Sequence, residues 1–587
     1  MINNPLNSIK INCTVVYLHT VTMSNLNLSE KNKQYDAIVV GSGISGGWAA
    51  KELTEKGLKV LLLERGKPLE HVTGYAPFNL DPWAYEHRGR RTQKELSDYP
   101  IQTRKPYFSE MTQDYWFKDI DAPYTEVKRF DWFRPDIVGG RSILWGRQCY
   151  RLSPMDFEAN AREGVGADWP IRYADIAKWY DYVEKFVGIS GENLDLEHLP
   201  NQVLLPPMDL NIVEKSVKQR LEKQFKNRYL TIGHAANLTQ QHNNRSACQY
   251  RNMCMNGCPY SAYFSTQSAT LPLAVATKRL TVRPHSIVNS ILFDATKNKA
   301  KGVLVIDSET GEQHEFYAKI VFLCASTIGS SWILLNSRPP QYSDGIGNST
   351  GNLGHYLMDH QSQVGASGII EGYEDNYLFG RRPNGFYIPR YRNIGDDKQS
   401  YNRGFGYQGG AQRQGWQRII NESGFGEELK NRATEPGVWS VAMSAFGECL
   451  PYYDNKMTLN TALKDKWGQP TITFDAEFKE NERLMKQDMK NDAVEMLTAV
   501  GCSEVKAYDN NATLGGSIHE MGAARMGKDP QTSVLNAFNQ VHDCQNIFVT
   551  DGPFMVSSSC VNPSLTYMAM TARAADFAVK ALKKGDL

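Results

Sequence analysis

Residues 35–65 read as strand, glycine turn, helix and second strand in immediate succession. Tyr35-Asp-Ala-Ile-Val-Val40 is a short apolar, β-branched run, the pattern of a parallel strand buried on both faces. It passes directly into Gly41-Ser-Gly43-Ile-Ser-Gly46 and a helical stretch from Gly47 to Lys56. Gly57 stands where a helix C-terminal glycine belongs. Lys59-Val-Leu-Leu-Leu63 is the second buried strand, ending in Glu64-Arg65-Gly66. This β-α-β unit commits the start of the chain to an α/β fold. A glycine string alone is weak, but here it sits between a buried strand and a helix, as dinucleotide binding requires. Gly41 permits the tight turn, Gly43 lets backbone approach a pyrophosphate, and Gly46 lets helix lie close on strand. The helix start, with Ser45, offers free N–H groups and a positive dipole end to phosphate. Glu64 can accept hydrogen bonds from ribose hydroxyls and repels a 2′-phosphate, with Arg65 beside it. The motif does not choose between FAD and NAD.

The rest of the chain bounds the answer. The 587 residues suffice for two large domains. Apolar residues make up 41% and charged residues 22%, which suits a globular enzyme and not a disordered chain. With 65 Lys and Arg against 64 Asp and Glu, the net charge of +1 gives no footprint for nucleic acid or an anionic membrane. No apolar run is long enough to span a bilayer, and ten cysteines are too few for a disulfide-built fold. Residues 1–34 carry neither a continuous apolar core nor a cleavage pattern, so a flexible tail is expected, with Met23 an alternative start. Lack of a signal points to the cytoplasm. Export with a signal-bearing partner would leave the same sequence.

Further along, 67–130 is loop-like. A second glycine turn, Gly139-Gly140-Arg-Ser142, precedes Trp145-Gly146-Arg147-Gln148. Helices are expected near 173–187 and 478–500, strands at 281–293, 301–307 and 313–323, and a last helix from Pro563-Ser564 to about Lys583. There is no repeat and no long linker, so the two domains interleave.

The C-terminal section holds His519-Glu-Met-Gly522, then Thr550-Asp551-Gly552, then Ser557-Ser-Ser-Cys-Val-Asn562-Pro563-Ser-Leu-Thr566 opening the last helix. With the N-terminal fingerprint, the Gly139-Gly140-x-Ser142 turn and the Asp168-Trp-Pro-Ile171 segment, these fall in the order of the glucose-methanol-choline (GMC) flavoprotein oxidoreductases. The chain resembles that family from about 35 to 583, and within it the pyranose oxidase and bacterial FAD-dependent sugar dehydrogenase branch. The resemblance implies FAD and a Rossmann-like FAD domain with a parallel sheet, drawn from 35–150, 230–355 and 510–587. It also implies a substrate domain on a largely antiparallel sheet, drawn from 151–229 and 356–509. It places the catalytic pair on His519 and Asn562. It adds Gly139, Gly140, Ser142, Asp551, Asn562 and Pro563 to the cofactor site, and puts Glu448 where the family's substrate-domain sheet passes over the flavin. Gln148, following the second glycine turn with Arg147, is expected to face either flavin or sugar and is assigned to the substrate site. The residue types make chemical sense. A neutral imidazole suits removal of a hydroxyl proton, and an amide holds the same oxygen without competing as a base. A helix starting at Pro563 aims its positive end at the cofactor, with Asn562 also suited to an N-cap. Relatives that attach FAD covalently use a His after the second glycine turn. Here Ser142-Ile-Leu-Trp145 has none, which implies dissociable FAD.

Cys248, Cys254 and Cys258 fall within eleven residues at 248–258, inside the 245–260 segment. They read as buried thiols, as a zinc site with His242 as fourth ligand, or as ligands of a 3Fe-4S cluster, one thiolate per iron. The last matches the Cys-rich insert of some bacterial glucose and gluconate dehydrogenases. The resemblance then implies oxidation of a secondary hydroxyl of a pyranose sugar or glycoside, C3 before C2, to a keto-sugar. Electrons would leave through the cluster to a cytochrome or quinone, with a small companion subunit. The alternatives are an oxidase using oxygen, a non-sugar alcohol as substrate, and an electron carrier without substrate.

Overall fold

The computed structural model describes residues 33–587 apart from 76–79, 81–83, 106, 379–381, 416–417 and 420–423. The expected tail at 1–34 lies outside the described residues except for Lys33 and Gln34, and Gln34 already begins the first strand.

Among the described residues the first sheet has eight strands. Across it run Gln540–Val541, Cys544–Val549, Gln313–Leu323, Gln34–Val40, Val60–Leu63 and Leu280–Arg283. Ser286–Asp294 and Lys299–Asp307 fold back beside Gln313–Leu323. From Cys544–Val549 to Leu280–Arg283 the strands are parallel. Val40 stands opposite both Leu323 and Leu63, so the carboxyl ends of three strands line up. Gly41, Glu64 and Cys324 therefore share one edge, where open α/β sheets bind their ligands. Helix Ile44–Glu55 packs on the sheet and against the last helix, Ser564–Lys584. Ala49, Ala50, Ala574, Ala575 and Ala578 line that contact and let the elements approach closely.

The second sheet is antiparallel, in the order Ser503–Asp509, Gln361–Ile370, Trp439–Gly447, Phe405–Arg413, Phe386–Ile388, Thr231–Ile232. Helix Glu480–Ala499 covers one face with Met485, Met489, Ala493, Met496 and Leu497. Side chains alternate across a strand. Tyr407 therefore faces this helix, donating to the Met489 carbonyl at 2.8 Å, while Gln408 faces the other way, toward Asn562. The α/β fold with one parallel and one antiparallel sheet is the expected one. One boundary differs: Thr231–Ile232, placed by sequence with the first domain, pairs at the edge of the second sheet. Two residues carry too little pattern to reveal which sheet they join. No described helix is long and apolar enough to cross a membrane.

Candidate active site

One cavity of about 320 Å³ lies at the carboxyl edge of the parallel sheet. Gly41, Gly43, Ser45, Glu64 and Arg65 line one part, Gly140, Ser142, Arg147 and Gln148 another, and His519, Asp551, Asn562 and Pro563 a third. Gly46 and Gly139 stand behind this wall. A Cβ on Gly41, at φ +92°, would sit 2.4 Å from the Cys324 carbonyl oxygen, so the turn accepts only glycine. At Gly43 a Cβ would meet nothing within 4 Å, which leaves open space on the cavity side.

Ser42 ties the two glycine turns together. Its N–H and hydroxyl both donate to Glu64 Oε2, at 2.9 and 2.5 Å, and its Oγ accepts from the Gly139 N–H at 2.8 Å. Glu64 Oε1 accepts from the Gly66 N–H at 2.9 Å. Ser142 Oγ donates to the Gly139 carbonyl and accepts from the Thr266 N–H. The Arg65 guanidinium lies 4.1 Å from the Phe117 ring centre and 5.2 Å from that of Trp467, with Nε and Nη2 buried and unpartnered.

Three observations test this cavity against FAD, and the residues fit it. Asp551 is buried, and its Oδ2 accepts from Ser330, while Oδ1 has no hydrogen-bond partner among the described residues, leaving an acceptor for a ligand hydroxyl. Burial pushes its carboxyl up to about 7. Helices Ile44–Glu55 and Ser564–Lys584 both start on this cavity without a side-chain cap, leaving first-turn N–H groups for anionic or electron-rich parts of a ligand. The open side of Gly43 adds the close approach that a pyrophosphate needs. Pro563 takes the N-cap position of the last helix and Asn562 lies one residue before it, so Asn562 does not cap as its residue type suggested.

The amide of Asn562 has other partners. Its Oδ1 accepts from Gln408 Nε2 at 2.6 Å, and its Nδ2 lies 3.4 Å from His519 Nε2. The other ring nitrogen of His519, Nδ1, is 2.9 Å from His360 Nδ1. Asp359 holds the backbone here, accepting from the N–H groups of Ser517, His519 and His360 at 2.9, 3.1 and 2.8 Å. Burial first, then the nearby His360, Arg141 and Lys105, keeps His519 well below the ordinary histidine range, as a neutral ring. Arg141 donates to the Ile518 carbonyl at 3.0 Å and to Glu520 at 2.6 Å, and Lys105 donates to the Gly516 carbonyl. His360, Gln408 and Asp359 escaped the sequence reading. Their contacts with His519 and Asn562 span more than 150 residues, and no local spacing signals them.

Gln148 reaches the cavity, its Oε1 accepting from Tyr150 at 2.8 Å. Glu448 does not. It is buried away from the cavity with Arg403 at 3.4 Å and Arg390 at 3.6 Å, because a carboxylate in the interior requires paired cations. The substrate contact expected of Glu448 is thereby corrected to an internal ion pair.

Cys248, Cys254 and Cys258 are free, partly buried thiols that line one small cavity of about 30 Å³. His242 is not on that cavity, and its Nε2 lies 2.8 Å from the Lys185 carbonyl, so the four-ligand zinc arrangement is not formed. Among the described residues no three His, Cys, Asp or Glu side chains form a group able to hold a single metal ion.

Fold, cavity and family models together assign the chain to the FAD-dependent oxidoreductases that act on CH–OH groups. The chain belongs to the GMC oxidoreductase family, whose sequence profiles match residues 35–362 and 451–571. It is 28% identical to 2-methyl-1,2-propanediol dehydrogenase of Mycolicibacterium austroafricanum, over 93% of this chain and 95% of that one. It is 26% identical to the fructose dehydrogenase large subunit of Gluconobacter japonicus, over 95% and 100% respectively. Among solved structures it superposes on pyridoxine 4-oxidase from Mesorbium loti with a TM-score of 0.57 at 15% identity, over 92% of this chain and 98% of that one.

Proposed function

We propose that this chain is an FAD-dependent dehydrogenase that oxidises a secondary hydroxyl of a pyranose sugar or glycoside, C3 before C2, to the keto-sugar. The observation that carries the reading is His519 Nε2 beside the Asn562 amide, 3.4 Å apart on the cavity wall at the start of the last helix. Bound FAD supplies the acceptor for the hydride leaving the carbon. His519 takes the hydroxyl proton on Nε2, and Asn562 Nδ2 donates to the same oxygen. Gly41, Gly43, Ser45, Glu64 and Arg65 hold the adenosine and pyrophosphate end, with Gly46 letting the helix close on the Gly41 turn behind them. Gly140, Ser142 and Asp551 hold the middle, with Gly139 shaping the turn from behind, and Asn562 and Pro563 the end where chemistry occurs. Gln148 faces the substrate. FAD is held non-covalently in this reading, because Ser142-Ile-Leu-Trp145 carries no histidine. Residues 35–150, 230–355 and 510–587 form the FAD domain, and 151–229 and 356–509 the substrate domain, with Thr231–Ile232 lent to the latter.

Three thiolates on one cavity suit a 3Fe-4S cluster, because each binds its own iron and they need not converge on one point. One hydrogen bond links the surroundings of the two cavities. Tyr263 lines the cysteine cavity and donates to the Ile143 carbonyl at 2.8 Å, on the turn that presents Gly140 and Ser142 to the other. Cys248, Cys254 and Cys258 would hold such a cluster, and it would supply a one-electron path from reduced flavin to a cytochrome or quinone. A relative that is by name a large subunit supports a smaller companion chain. The relative named for fructose favours a sugar. The relative named for a propanediol favours a second reading, a small non-sugar alcohol at the same His519–Asn562 pair.

The test is an anaerobic absorption spectrum before and after methyl glucoside, fructose or 1,2-propanediol. Bleaching of the flavin bands by methyl glucoside, with a 3-keto product, supports the first reading. Bleaching by the diol alone replaces it with the second. Peroxide formed in step with product in air would make the enzyme an oxidase.

A further inference from the structure

We propose that His360 is a positioning residue that holds His519 in the tautomer with the proton on Nδ1 and a bare Nε2. This rests on the reading of His519 as the base.

The argument starts from a carbonyl oxygen, which can only accept. His360 Nε2 lies 2.8 Å from the Ser559 carbonyl and must carry a proton. The ring is fully buried, and burial lowers its pKa to about 4, so it is neutral and has one N–H to give. Its Nδ1 is then an acceptor. His519 Nδ1, 2.9 Å away, must be the donor. That leaves Nε2 of His519 bare, facing the Asn562 amide. The amide agrees, because Gln408 Nε2 donates to Asn562 Oδ1 and turns the NH₂ toward the ring. Four hydrogen bonds thus run in one direction, from Gln408 through Asn562, His519 and His360 to Ser559. Asn562 and Ser559 lie on one segment, with the ring pair clamped between. A proton on His519 Nε2 instead would set two nitrogen lone pairs against each other and an N–H against an N–H, inside the protein.

No other charged group competes for these ring nitrogens among the described contacts. Asp359 is engaged by backbone N–H groups of both histidines, Arg141 by Ile518 and Glu520, and Lys105 by Gly516. Phe446 meets both rings by edge and tilt only.

The test compares two conservative variants of the holoenzyme. In His360→Asn the amide oxygen takes the place of Nδ1 and keeps the acceptor. In His360→Gln the amide reaches the place of Nε2, keeps the bond to Ser559 and loses the acceptor. Flavin reduction at saturating substrate should fall by about 10²–10⁴ in His360→Gln, the range seen when a base is left in the wrong tautomer, with little change in KM. His360→Asn should stay within about tenfold of wild type. Nitrogen NMR of ¹⁵N-histidine-labelled protein should show His519 protonated at Nδ1 in wild type and His360→Asn, and almost wholly at Nε2 in His360→Gln, since a loss of that size needs the productive tautomer at about 1% or less. A wild-type proton on Nε2 overturns the proposal, and so do equal rates in the two variants. Should His360→Gln fail to fold, the wild-type spectrum decides alone. His519→Ala separates the layers. Unchanged flavin reduction there overturns the base reading and the proposal with it. Loss there beside a wild-type rate in His360→Gln overturns the positioning role alone.

Discussion

Arg403 and Glu448 face each other inside the protein, Nε to Oε2 at 3.4 Å, and each has a second ionic partner, Glu163 at 3.0 Å and Arg390 at 3.6 Å. Arg403 also bonds Asn160, on the helix Pro154–Glu163. Removing Arg403 leaves Glu448 buried with Arg390 alone, at 3.6 Å, and takes the ion pair from Glu163 and a hydrogen bond from Asn160. Arg403→Leu should therefore cost about 3–5 kcal/mol of stability. Thermal melting with flavin bound reads this loss directly. KM for the substrate should stay at the wild-type value in Glu448→Gln, whereas a substrate contact at Glu448 would move it.

Glu64 satisfies two backbone N–H groups, those of Ser42 and Gly66, besides its place on the cofactor cavity. Glu64→Ala strands both donors, at about 1–3 kcal/mol each. The variant should emerge from gel filtration with much less flavin, measured as the ratio of flavin to protein absorbance. Glu64→Gln keeps one acceptor and should retain an intermediate amount.

With His519 as the proposed base, the pH dependence of flavin reduction follows from its depressed pKa. A base works when unprotonated, and a lowered pKa extends that form to more acid solution. The rate should stay level as pH falls through 6.5, the ordinary histidine value, and decline only well below it. A decline centred at or above 6.5 in stopped-flow measurements would contradict the burial of this ring.

Cys258→Ser removes one of the three thiols that share the small cavity. If these hold a cluster, the broad sulfur-to-iron absorption and its paramagnetic resonance signal should disappear. Reduction of the flavin by substrate should persist, while turnover with a one-electron acceptor falls. An unchanged spectrum would mean that the thiols are structural.

Much of this was legible because it is local. The fingerprint Gly41–Gly46 with Glu64, the last helix and the segment carrying Asn562 depend on spacing within a few residues, and the structure has them where expected. The helix after the fingerprint starts at Ile44, three residues before the first strong helical signal, because Gly46 and Gly47 mask its opening turn. Residue type misled at Asn562, a good N-cap residue whose amide is instead claimed by Gln408 and His519. Glu448 misled for another reason. A carboxylate near the expected site looks the same in sequence whether it meets substrate or two buried arginines.

The sequence by itself determined the α/β fold and the family, and pointed to the sheet edge that carries Gly41 and Glu64 and to His519 and Asn562 as the residues to watch. Backbone periodicity and turn chemistry are written in neighbouring residues, so they survive without coordinates. Only the tertiary structure decided that His360 lies against His519, that Gln408 turns the Asn562 amide, that Arg403 claims Glu448, and that three cysteines open on one cavity. These contacts join segments whose separation along the chain carries no geometric information. They are set when the two sheets and the last helix close on a common core, and hydrogen-bond direction in the dry interior follows from that closure.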